Sequence, residues 1–138
     1  MEINYWAVLV CGIISMILGS IWFGPLFGKT WSKICRIDAL TEAERKKMQK
    51  AAGPLYVISF ILSLFQAFVL AYYISIWRQS SGVDHAVWIW AAFIIPTVAA
   101  GAMWNNDSKE ISWARFGIQA GYYLVLFVAY GLVLGAWR

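Results

Sequence analysis

Charge is what this sequence has least of. Only 13% of its 138 residues are Asp, Glu, Lys or Arg, while 62% are hydrophobic. A water-soluble domain runs at about 25% charged and about 45–50% apolar. So few polar side chains cannot cover a water-exposed surface, which excludes a disordered chain and an ordinary soluble enzyme. Histidine is scarce as well, with His85 alone, and the two cysteines, Cys11 and Cys35, have no CxxC spacing. No metal site is expected from so small a ligand set. One cysteine falls in an apolar run and the other in a basic loop, so no disulfide is expected between them. No apolar run contains Asp, Glu, Lys, Arg or His. That removes the intramembrane ionisable group typical of proton-coupled transport, along with triads, paired carboxylates and haem-ligating histidines. Accordingly no catalytic residue, cofactor or metal is assigned, and a non-enzymatic protein is expected.

What is present is apolar length. Four stretches, about 5–23, 55–77, 86–104 and 116–137, are long enough to cross a bilayer, which takes about 17–25 helical residues. Continuous apolarity fits helices and not the alternating strands of a barrel. The chain reads as one domain, 1–138, an all-α four-helix transmembrane bundle made of two hairpins. The first stretch is expected to stay as a helix: its flank carries Glu2 and not a basic residue, and no A-x-A-like site comes after it.

The net charge of +4 reads as topology and not as a nucleic-acid footprint. Of the eleven basic residues, nine lie in segments 24–54 and 105–115: Lys29, Lys33, Arg36, Arg45, Lys46, Lys47, Lys50, Lys109 and Arg115. Only Arg78 and Arg138 lie on the opposite side. The positive-inside rule makes both segments cytoplasmic and both termini external, as in a bacterial inner (plasma) membrane protein. Tryptophans mark the rims: Trp6, Trp77, Trp88 and Trp137 outside; Trp22, Trp31, Trp104 and Trp113 inside. In the first loop, Thr41-Glu42-Ala43-Glu44 is a capping box. A short helix is expected from it to about Ala52, closed by Gly53-Pro54.

Two patterns bear on packing. Gly19-x-x-Trp22 precedes Trp31 as Gly101-x-x-Trp104 precedes Trp113, which suggests a parallel internal repeat with Trp77-Arg78 matching Trp137-Arg138. Small residues recur at i, i+4: Ala7, Cys11, Ser15 and Gly19; Ser59, Ser63, Ala67, Ala71 and Ser75; Gly117 and Gly121; Gly131 and Gly135. Such stripes let helix backbones approach closely. So many stripes favour self-association, as a homo-oligomer or with another membrane subunit.

The run Leu18-Gly19-Ser20-Ile21-Trp22-Phe23-Gly24-Pro25-Leu26-Phe27-Gly28-Lys29-Thr30-Trp31 resembles the signature of the domain of unknown function 1761 family of small membrane proteins. The closing segment from Gly117-Ile118-Gln119-Ala120-Gly121-Tyr122-Tyr123 to Gly135-Ala136-Trp137, and Pro96, are also similar. The resemblance spans nearly the whole chain. It implies four membrane helices and no activity.

The candidate ligand-binding residues are Gln66 and Gln119, the strongest polar side chains within the spans, and the turn Gly24, Gly28 and Lys29. Pro25 is expected to break the first helix, while Gly24 and Gly28 permit unusual backbone angles. The turn reads either as an unwound anion-binding element or as a helix end with a snorkelling lysine. Pro96 is expected to kink the third span. The leading functional expectation is a self-associating bundle or accessory subunit in the lipid bilayer. The alternatives are a small-molecule transporter or channel, and a lipid- or quinone-binding protein.

Overall fold

The computed structural model describes residues 2–137, all of whose regular structure is helical; Arg138, one of the two basic residues read as external, lies outside them. Helix α1 (Tyr5–Ile21) continues through a π-helical turn, Trp22–Leu26. A short helix α2 (Gly28–Ile34) and a 3-10 turn (Ile37–Ala39) lead into α3 (Glu42–Ile76). Helix α4 (Gly82–Ile89), a second π-helical turn (Trp90–Ile94) and α5 (Ile95–Met103) form one rod, and α6 (Lys109–Ala136) ends the fold. The four rods Tyr5–Leu26, Glu42–Ile76, Gly82–Met103 and Lys109–Ala136 are each long and apolar enough to cross a membrane, with mean hydropathy of 1.7 to 2.2 over an apolar stretch of 18 residues in each.

Side-chain caps start these helices. Asn4 Oδ1 accepts from the amides of Trp6 and Ala7, Ser81 Oγ from Asp84, and Ser108 Oγ from Ile111. The Thr41–Glu44 capping box forms as expected, with reciprocal bonds of 3.2 and 3.3 Å. The helix it opens is longer than expected. It does not stop at Ala52 but runs unbroken through Gly53-Pro54 to Ile76, 35 residues in all. Pro54 removes only one backbone donor, and that position is exposed. At about 1.5 Å per residue, α3 is longer than a bilayer crossing needs, and its basic first turns precede its apolar stretch.

The other two prolines are absorbed by π-helical turns. Pro25 lies inside Trp22–Leu26, and the helix breaks only at Phe27 (φ −118°, ψ 12°). Pro96 opens α5, directly after Trp90–Ile94, which carries the irregularity one turn ahead of the proline. No glycine among the described residues takes a positive φ, so Gly24 and Gly28 do not use the freedom expected of them. Arg36 does (φ 59°), as the left-handed residue that turns the chain after α2.

Helix α6 is the centre of the bundle and packs against each of the other rods. Asn4 Nδ2 donates to the Trp137 carbonyl at 3.1 Å, which brings both chain ends to one end of the bundle. That terminal end is solid. Ala7, Val8 and Cys11 meet Ala67, Leu70, Ala71 and Ile74, and Leu126, Phe127, Tyr130 and Leu134 close the core. The outer sides of the rods are apolar, with exposed Leu55, Ile58, Leu62, Phe65 and Val69 along α3.

The small residues are consumed largely within one chain. A Cβ on Gly131 would lie 2.6 Å from the Gly82 carbonyl oxygen, and one on Gly82 would strike the Gly131 carbonyl oxygen. Gly135 sits 3.3 Å from Gly82 by the same measure, Gly121 lies against the Trp22 ring, and Gly19 against the Tyr122 hydroxyl. Ser15 and Ala67 are buried; Gly117 alone of these faces open space. The repeat landmarks do not occupy equivalent places. The Trp22 indole donates to the Ile118 carbonyl at 2.9 Å, whereas Trp104 is 87% exposed. Trp31 packs tilted against Phe23, with ring centroids 4.8 Å apart, while Trp113 is exposed.

Gly131→Val should therefore lower bundle stability by about 1–3 kcal/mol or more through overpacking, read as a fall in melting temperature in detergent. Gly117→Ala, with open space at its Cβ, should be neutral or stabilising by up to about 1 kcal/mol.

Candidate functional site

Away from the solid core, toward the basic end, α1, α3 and α6 part around a cavity of about 640 Å³. Ser59, Ser63 and Gln66 face it from α3, at helical offsets of four and three that place them on one side. Ser15, Gly19 and Phe23 face it from α1, and Tyr122, Tyr123 and Leu126 from α6. The exposed rim is Ser20 and Gly24 on one helix and Tyr56, Ser59 and Leu62 on the other, so the mouth opens sideways between the first two rods. At the inner end, Ser15, Ser63 and Leu126 abut the closed core, which makes the cavity blind.

The polar groups around it divide into two sets. Three are committed: Ser15 Oγ donates to the Gly12 carbonyl at 2.7 Å, Ser20 Oγ to Met16 at 2.9 Å, and the Tyr122 hydroxyl to the Ser15 carbonyl at 3.1 Å. The Gln66 carboxamide and the Ser59 and Tyr123 hydroxyls make no hydrogen bond with the described residues, while Ser63 lies against the Tyr130 hydroxyl. Behind this wall Tyr130 is fully buried. Its hydroxyl lies beside Ser63 and Ser15, the two side chains it can pair with. Unsatisfied polar groups in a membrane interior are costly unless something pairs with them. The opposite wall is aromatic: Phe23 lies 5.2 Å from Tyr122, and Tyr122 lies 5.1 Å from Tyr123. No Asp, Glu, Lys, Arg or His lines the cavity.

Two indoles hold α6 in place beside the cavity. Trp22 Nε1 donates to the Ile118 carbonyl at 2.9 Å, and Trp90 Nε1 to the Ala120 carbonyl at 3.0 Å. Trp22 thus points into the bundle as well as marking its rim. Gln119, between those two carbonyls in sequence, lies outside the cavity. So do Gly28 and Lys29; only Gln66 and Gly24 of the five expected ligand residues line it. Lys29 is exposed, and Gly28 packs with its Cα against the Phe23 carbonyl. Ser59, Tyr56 and Ser20 are lining residues that sequence reading did not assign to a ligand. The Ser59-x-x-x-Ser63-x-x-Gln66 face was their signal, and it is indistinguishable in sequence from a packing stripe.

A charge cluster ties the loops together at the basic end. Asp107, with only 11% of its side chain exposed, accepts from Arg115 Nη2 at 2.8 Å and pairs with Arg36 at 3.6 Å. Arg115 also donates to the Ile34 carbonyl at 3.4 Å, linking the first loop to α6. Asn105 braces the turn through the Asp107 amide and the Ser112 hydroxyl. Burial raises the thiol pKa of the neighbouring Cys35; Arg115 opposes the rise and Asp107 adds to it. Asp107→Ala should cost about 1–2 kcal/mol, since Arg115 loses its partner in a site that water still screens partly. A raised pKa means little thiolate at neutral pH, so maleimide labelling of Cys35 should be slow and keep climbing above the usual thiol pH. Asp107→Asn should speed it by removing the carboxylate that raises the pKa, while buried Cys11 stays unlabelled.

No curated protein and no solved structure matches this chain. The model of a family described as protein of unknown function, DUF1761, matches residues 6–135, nearly the whole length. The motifs at the mouth of the cavity and along α6 fall inside that match, and the chain belongs to the DUF1761 family.

Proposed function

We propose that this protein is a membrane-embedded binding protein that holds a small, neutral, amphipathic molecule in the cavity between α1, α3 and α6. The observation that carries this reading is a blind cavity of about 640 Å³ with unpaired polar groups and no acidic or basic side chain in its lining. Ligand sites run at about 300–1,000 Å³, mostly apolar with a few convergent polar groups. A charged ligand would find no counter-charge there. The closed core at the terminal end leaves no path across the bundle, which favours binding over conduction. The sideways mouth suits entry from the bilayer. Self-association loses its main motive, because most of the small-residue stripes are used inside one chain.

Gentle extraction into lipid nanodiscs and then native mass spectrometry tests this. One defined small molecule should be retained per chain, and Ser63→Phe, which fills the cavity, should release it while melting as the ligand-free parent does. A bare protein under the same conditions, with the cavity unfilled by any additive, would refute the reading. In the orientation we propose, the basic end is cytoplasmic. A membrane-impermeant maleimide should then label Cys35 in inside-out vesicles and not in intact cells.

A further inference from the structure

Resting on that binding reading, we infer that the ligand class is a lipid-soluble molecule with a flat, neutral ring head bearing carbonyl oxygens, the chemistry of a quinone. The inference comes from how the two walls differ. On the α3 side, the free groups of Ser59 and Gln66 are both able to donate, and Tyr123 adds a phenolic O–H from α6. A ring carbonyl is an acceptor only, so donors converging from one side pair with it and need nothing in return. On the other side, Phe23, Tyr122 and Tyr123 form a contiguous aromatic cluster, with centroids 5.2 and 5.1 Å apart and rings tilted by 55° and 64°, which offers both faces and edges to a guest. Aromatic surfaces favour a planar ring in offset or edge contact. A wholly aliphatic guest would leave the donors unpaired. A charged one would be uncompensated. A polyol would place its many hydroxyls against the aromatic wall. The sideways mouth allows a hydrocarbon tail to remain in lipid while the head is inside.

Gln66 is the residue that distinguishes the class, because it is the only carboxamide on the cavity. The test uses the full chain in nanodiscs, freed of co-purified small molecules and titrated with a benzoquinone carrying a ten-carbon tail. Dioctanoylglycerol, neutral and with ester carbonyls but no ring, is the comparison for the ring, and native mass spectrometry reads occupancy. One quinone per chain is expected, with about tenfold weaker binding in Gln66→Leu, roughly the loss of one hydrogen bond in a desolvated site. Gln119→Leu, outside the cavity, should bind as the parent does. Equal melting temperatures for both variants separate lost binding from lost folding. Quinone binding that is insensitive to Gln66→Leu overturns the inference. Binding of dioctanoylglycerol alone, sensitive to Gln66→Leu, overturns the ring class and leaves the cavity reading standing. Binding of neither probe, with no molecule retained on extraction, overturns both.

Discussion

Everything in this bundle depends on how closely α6 is approached. Between apolar helices in lipid the hydrophobic effect supplies no attraction, so packing rests on dispersion and hydrogen bonds at short range. Gly82 against Gly131 removes both side chains from the contact and lets backbones touch. The indoles of Trp22 and Trp90 then donate to carbonyls of the same helix, two residues apart. Each of these contacts needs the others, because an indole reaches a helix carbonyl only when its own helix is near.

That arrangement divides the molecule along its length. Toward the chain termini, small and branched residues interdigitate, and Tyr130, Ile74, Leu126 and Cys11 are wholly enclosed. Toward the basic end, α1 carries Gly19, Ser20 and Gly24 and finishes in a π-helical turn, so there is too little side-chain volume to fill the space. The space left is the cavity. Its blind end coincides with the most polar part of the interior, where Ser15, Ser63 and Tyr130 lie close together. Polar groups without partners in a well-packed membrane helix bundle oppose stability, and a ligand that pairs with them relieves that opposition.

The charges outside the four rods also hold the loops together. Asp107 collects Arg36 and Arg115 and thereby fixes the first loop to the start of α6. The two loops it joins flank the mouth-bearing end of the bundle. Loop charges that orient a chain in a membrane and loop charges that pair with one another are drawn from the same residues, and only proximity in space separates the two uses.

The sequence by itself determined the four apolar rods, because a bilayer admits only segments that satisfy their own backbone groups over its full thickness. It also determined the capping box at Thr41, a local exchange of hydrogen bonds between residues three apart. Proline was less readable. Its missing donor is visible in sequence, but whether a helix stops, as expected at Pro54, or continues depends on what surrounds the freed carbonyl. Half-legible too was the site. Gln66 stood out as a polar residue in an apolar span, yet Gln119 looked the same, and only helix rotation about α6 put one on the cavity and the other off it. Ser59 and Ser63 read equally as packing and as lining, since one spacing serves both. The Arg36–Asp107–Arg115 cluster, the Gly82–Gly131 contact and the cavity itself join residues far apart in the chain. No periodicity encodes such meetings; only the tertiary structure decided them, by bringing distant side chains within bonding distance.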